Sequence, residues 1–140
     1  MDTIRQTKLI INKDAVKYNI SKLQNIVGKN VKVMPVVKAR AYGTGTGTLV
    51  DMFEELGIDI LAVAVVDEGI ALRDKGFKGE IIILNQPFIE EIDMILEYDL
   101  IPCVCVNEFI EELNKHNQVA KIHLEIDTGM GRTRNCPKRN

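Results

Sequence analysis

Five short runs rich in Val and Ile recur along the chain, at residues 31–37, 60–66, 80–84, 101–106 and 120–127. Between them lie stretches whose apolar residues fall at helical spacing, and this alternation constrains the fold more than any other feature. Strands that are apolar throughout, not on alternate residues, are buried on both faces, as in a parallel sheet covered by helices. The helical stretches are 15–27, 46–56, 67–76, 88–97 and 109–115. Asn12 or Asp14 is placed to cap the first, Asp67 the third and Asn107 the last, while Gly28 and Gly57 close the first two. On this pattern alone, a doubly wound sheet and part of a barrel are equally good.

Composition narrows the classes of function. The 140 residues support one domain, and a net charge of −2 with no basic stripe argues against a nucleic-acid partner. No apolar run has the length of a membrane span, and the N-terminal MDTIRQTK lacks a signal-peptide core. Three cysteines without metal-ligand spacing suit a reducing compartment, which points to the cytoplasm.

The stretch with most chemical content is Val36-Val37-Lys38-Ala39-Arg40-Ala41-Tyr42-Gly43-Thr44-Gly45. It places a lysine where an apolar strand ends, which in α/β folds is where ligands and chemistry gather. Val36 and Val37 would strip water from the amine, disfavouring its charged form and freeing a nucleophile able to condense with an aldehyde. A solvated strand end is the plainer alternative, and position alone favours it. Gly43, Gly45 and Gly47 do not make a G-x-G-x-x-G or a P-loop. Asp67 does lie about 20 residues on, where a ribose-binding acid sits in Rossmann domains, so that reading stays open. A tight strand-to-helix turn is the more ordinary account.

VVKARAYGTG resembles the pyridoxal-phosphate (PLP) lysine motif of the alanine racemase family, VVKANAYGHG. Residues 123–132, HLEIDTGMGR, resemble the family's second signature, HLKVDTGMGR. The likeness covers residues 8 to 133 or thereabouts and implies a partial (β/α)₈ TIM-type barrel. About five parallel strands with covering helices would be present, and the family's C-terminal β-domain absent. It implies that Lys38 carries PLP and that Tyr42 helps hold the cofactor's phosphate. Glu125 stands where the family often has a carbamylated lysine, so a glutamate would supply that negative charge directly. Arg132 matches the arginine such an anion orients. Arg40 and Thr44 replace the family's usual Asn and His beside the cofactor.

The activity so implied is interconversion of L- and D-alanine, or serine, feeding peptidoglycan, in a homodimer. Its second acid–base group is a tyrosine of the partner subunit's C-terminal domain, a motif that Tyr18, Tyr42 and Tyr98 do not match. Complete barrels take about 250 residues, so the expectation is a truncated, weakly active or inactive fragment over residues 1–133, with open sheet edges through which it could self-associate. Residues 134–140 depart from the family. The codons AGG AAT TGC CCC AAA AGA AAT would encode them and, read one nucleotide later, give Gly-Ile-Ala-Pro-Lys-Glu, a family-like continuation. A frameshift is therefore expected. Non-catalytic PLP carriage is the alternative that keeps the barrel and the lysine. His123, Glu125 and Asp127 alternate on one strand face but with a single histidine make a weak metal set, and no metal is assigned. Cys103 and Cys105 read as strand packing, and Asp51, Glu54 and Glu55 as a solvated helix face.

Overall fold

The computed structural model describes residues 7–45 and 49–131. Helix α1 (Lys13–Val27) begins at Asn12, whose side-chain oxygen accepts from the Ala15 amide at 3.0 Å, and stops at Gly28 with φ +79°. A single turn, α2 (Lys38–Tyr42), follows, and then α3 (Val50–Glu55). From there strands and helices alternate: β1 (Ile60–Val63), α4 (Val66–Asp74), β2 (Glu80–Ile83), α5 (Ile92–Glu97), β3 (Ile101–Val104), α6 (Asn107–Leu113) and β4 (His123–Leu124). A 3₁₀ turn at Ile89–Glu91 leads into α5.

The four strands pair in parallel in the order β1-β2-β3-β4. One step before β1 the chain makes a further parallel bridge, Val36 to Ala62, with the Ala62 amide donating to Pro35 O at 3.0 Å and the Val37 amide to Ala62 O at 2.8 Å. Spatial order therefore follows chain order through all five segments. A doubly wound sheet reverses direction at a switch point and carries helices on both faces. Here the order never reverses. The apolar cluster that packs the helices takes Leu61 and Val63 from β1, Ile81 and Ile83 from β2 and Val104 from β3, together with Phe53, Leu72, Ile95 and Phe109. The alternate residues Ala62, Ile82 and Ile101 are buried but lie outside that cluster, as a period of two requires. Helices on one face of a sequentially ordered parallel sheet are the geometry of a barrel wall.

Several boundaries differ from the sequence reading. The apolar run 31–37 contributes only the Val36 bridge, and Val31 is exposed. The last strand shrinks from 120–127 to His123–Leu124, extended by one bond from the Glu125 amide to Val104 O at 2.8 Å. Neither Asp67 nor Asn107 caps a helix: the cap positions are Val65 and Val106, neither with a side-chain bond. Residues 46–48, within the expected second helix, lie outside the described residues.

Candidate active site

The Lys38 turn is built from unusual backbone. Ala39, Arg40, Ala41 and Tyr42 have φ of 51°, 55°, 53° and 54°, so four consecutive L-residues lie in the left-handed helical region, and Gly43 continues it at φ 86°. For an L-residue this costs about 1–2 kcal/mol each. Several local bonds hold the turn: the Ala41 amide donates to Val37 O at 2.8 Å, the Gly43 amide to Ala39 O at 2.9 Å and the Gly45 amide to Arg40 O at 2.8 Å. The Thr44 hydroxyl donates to Ala41 O at 2.5 Å. One bond comes from elsewhere: the Ala39 amide donates to Glu68 Oε1 at 2.6 Å, while Glu68 Oε2 accepts from the Ala64 amide at 2.8 Å.

Lys38 sits at the C-terminal end of the segment that bridges to β1, and it is half-buried. Of its two expected apolar walls, Val37 is buried among the helix-packing core, whereas Val36 is 37% exposed. Tyr42 is 67% exposed, so its hydroxyl is open to a ligand.

At the C-terminal end of β4 a second group of residues gathers. Cys103 pairs in register with His123, which places Cys103, Cys105, His123 and Glu125 on one face by alternation. Burial first, and the nearby Glu125 carboxylate second, raise both the Cys103 and Cys105 thiols above their ordinary range. Glu125 is therefore close to both thiols and half-buried. The Asp127 carboxylate accepts from the amides of Gly129 at 2.9 Å and Gly131 at 3.0 Å, and those bonds hold its pKa below the usual carboxylate value. Among the described residues no three His, Cys, Asp or Glu side chains come together where they could hold a metal ion. Arg132 lies outside the described residues, and so does the expected Glu125–Arg132 contact.

The sequence profile described as "Alanine racemase, N-terminal domain" matches residues 11–134. The chain belongs to the alanine racemase family. Alanine racemase of Treponema denticola is 43% identical over 133 residues, an overlap that takes in 92% of this chain and 35% of that protein. An amino-acid racemase of Enterococcus faecalis is 38% identical over 122 residues, 87% of this chain and 17% of that protein. Among solved structures, alanine racemase of Clostridium difficile 630 in complex with cycloserine superposes with a TM-score of 0.82 at 29% identity, covering 86% of this chain and 34% of that one. The chain thus spans about a third of the length of curated alanine racemases such as that of Treponema denticola. The partial α/β barrel expected from the resemblance is the architecture found, and the comparisons do not extend to a C-terminal domain.

Of the four expected site residues, the structure describes Lys38, Tyr42 and Glu125. Lys38 and Tyr42 are the two ends of one left-handed turn, and Glu125 belongs to the other group, beyond β4. Glu68 escaped the sequence reading, although an acid three residues into a helix is a recognised signal for a carboxylate that reaches back to amides before it.

Proposed function

We propose that this chain is the cofactor-lysine portion of a PLP-dependent amino-acid racemase acting on alanine, or on serine as a close analogue. The observation that carries this is the Lys38 turn: an amine just after the segment that bridges in parallel to β1, a left-handed backbone and an exposed phenol four residues on. That donor set fits the cofactor, with Lys38 as the amine for covalent attachment and Tyr42 as a hydroxyl donor to the phosphate. When bound, PLP draws electrons from an amino acid joined to it and makes the Cα–H acidic.

The remaining chemistry falls to this chain's side chains. Lys38, once its amine is released, takes a proton from Cα or returns it on its own side. Tyr42 fixes the phosphate end, so that the amine and Cα keep their separation. Glu125, in the group beyond β4, would supply negative charge at the position where the family often carries a carbamylated lysine. Inversion needs a second acid–base group opposite Lys38, which in the family is a tyrosine of a partner subunit's C-terminal domain. None of the three tyrosines here matches that motif. Homodimerisation, a cytoplasmic setting and a role in supplying D-alanine for peptidoglycan accompany the racemase reading. No helix of the described residues is long and apolar enough to cross a membrane.

Hydrogen exchange at Cα separates this reading from non-catalytic PLP carriage. In D₂O with PLP, one base on one face should exchange the Cα–H of one enantiomer of alanine faster than free PLP does, with little inversion. The Lys38→Ala variant should fall to the free-PLP rate. Exchange equal in the two proteins would refute the assignment of Lys38, and PLP held at Lys38 without exchange would favour carriage.

A further inference from the structure

We propose that Glu68 is a positioning residue for the Lys38 amine, setting its direction by bridging the left-handed turn to the end of β1. This inference rests on the functional reading above for its consequence, but not for its geometry. The Ala39 amide belongs to the peptide unit that joins Lys38 to Ala39, and it donates to Glu68 Oε1 at 2.6 Å. Holding that plane restricts ψ of Lys38 once the preceding backbone is also held. On the other side of Lys38, the Val37 amide is held by Ala62 O at 2.8 Å. Glu68 Oε2 meanwhile accepts from the Ala64 amide at 2.8 Å, two residues on from Ala62. The lysine backbone is thus tied to β1 on both sides, and the second tie passes through a single carboxylate.

Two features single out Glu68 for this work. Its helix α4 is short and has no side-chain cap at Val65, so the carboxylate reaches back past the helix start instead of serving it conventionally. The turn it grips is left-handed over Ala39–Tyr42, a backbone that L-residues leave unless outside contacts hold it. Among the described residues, and apart from the Val37–Ala62 bond before it, the turn's other bonds lie within residues 37–45, so they hold its shape but do not aim it at the sheet. Only a carboxylate offers two acceptor oxygens; a carboxamide offers one, and its nitrogen cannot accept from the second amide.

The test compares wild type, Glu68→Gln and Glu68→Ala by amide hydrogen exchange without PLP and by borohydride trapping with PLP. In Glu68→Ala the Ala39 and Ala64 amides should exchange about tenfold faster or more, the scale of one lost charge-assisted bond. PLP trapping at Lys38 should fall by a similar factor relative to the other lysines. Glu68→Gln should lie between, with one of the two amides still protected. Wild-type protection of Ala39 in Glu68→Ala would overturn the bridge, and so would lost protection with undiminished trapping at Lys38. If Glu68→Ala does not fold, Glu68→Gln carries the same comparison. Should wild type fail to trap PLP at Lys38, the functional reading fails, while the amide comparison still decides whether Glu68 holds the turn.

Discussion

Removal of the Arg73 guanidinium should destabilise the chain more than any change at its exposed ion pairs. Arg73, near the end of α4, is half-buried and donates four hydrogen bonds, every one to a backbone carbonyl. Its Nε reaches Tyr98 O at 2.9 Å, its Nη1 reaches Phe77 O at 2.9 Å and Gly79 O at 2.7 Å, and its Nη2 reaches Asp99 O at 2.9 Å. These carbonyls belong to the two loops that lead into β2 and β3, so one side chain ties together the ends where neighbouring strands begin. Burial lowers the Arg73 pKa and the Asp99 charge opposes that, yet an arginine remains charged in a protein, so the tie is insensitive to pH. A hydrogen bond from a charged donor contributes about 1.5–3 kcal/mol. Partial exposure lets water replace some of the four in the variant, so Arg73→Ala should cost roughly 2–4 kcal/mol, a large share of the 5–15 kcal/mol typical of a domain. Arg73→Lys keeps the charge without the planar fork and should recover about half of that loss. Urea unfolding should show the midpoint moving with an unchanged slope. A cost below about 1 kcal/mol would refute the view that these four bonds hold the strand entries together.

Three further outcomes follow from single residues. A Cβ on Gly79 would lie 2.3 Å from Asp59 O and 2.7 Å from Phe77 Cζ, so Gly79→Ala should destabilise by about 1–3 kcal/mol in the same urea assay. Arg40 sits at φ 55°, a conformation asparagine tolerates better, and Arg40→Asn should raise stability by roughly half a kcal/mol, read as a higher melting temperature. Asp127 has its pKa lowered chiefly by the amides of Gly129 and Gly131, so its contribution is complete above the ordinary carboxylate value of 3.8 and is lost as pH falls through the lower folded value. Protection of the Gly129 and Gly131 amides, taken relative to the intrinsic exchange rate at each pH, should therefore fall in acid in wild type, while Asp127→Asn, which keeps an acceptor oxygen, should flatten that pH dependence.

How far the sequence foretold the structure depended on which signals were local. The βα alternation was legible because Val- and Ile-rich runs separated by helical spacing admit few architectures, and the absence of a reversal in strand order then selected the barrel. Strand lengths were not legible. Apolar residues such as Val31 and Ile126 extend the runs by composition, yet both are exposed, and the hydrogen-bonded ladders stop short of them. The caps at Asp67 and Asn107 failed because each falls inside its helix, two positions beyond the cap residue Val65 and one beyond Val106. The Lys38 turn was found through its motif but not through its shape. Of the consecutive positive-φ residues 39–43, only Gly43 carries the usual sequence mark, while Ala39, Arg40, Ala41 and Tyr42 read as ordinary helix or loop. Glu68 lies 30 residues from Lys38 in sequence, and no periodicity joins a carboxylate on α4 to an amide on α2.

The central claim, that Lys38 is the amine that takes PLP, is tested most directly by adding PLP to the purified chain, reducing with borohydride and mapping the modified peptide. The account predicts one dominant label, on Lys38, lost in Lys38→Ala. A label spread over exposed lysines such as Lys8, Lys29 and Lys75, with Lys38 no more modified than they are, would contradict it.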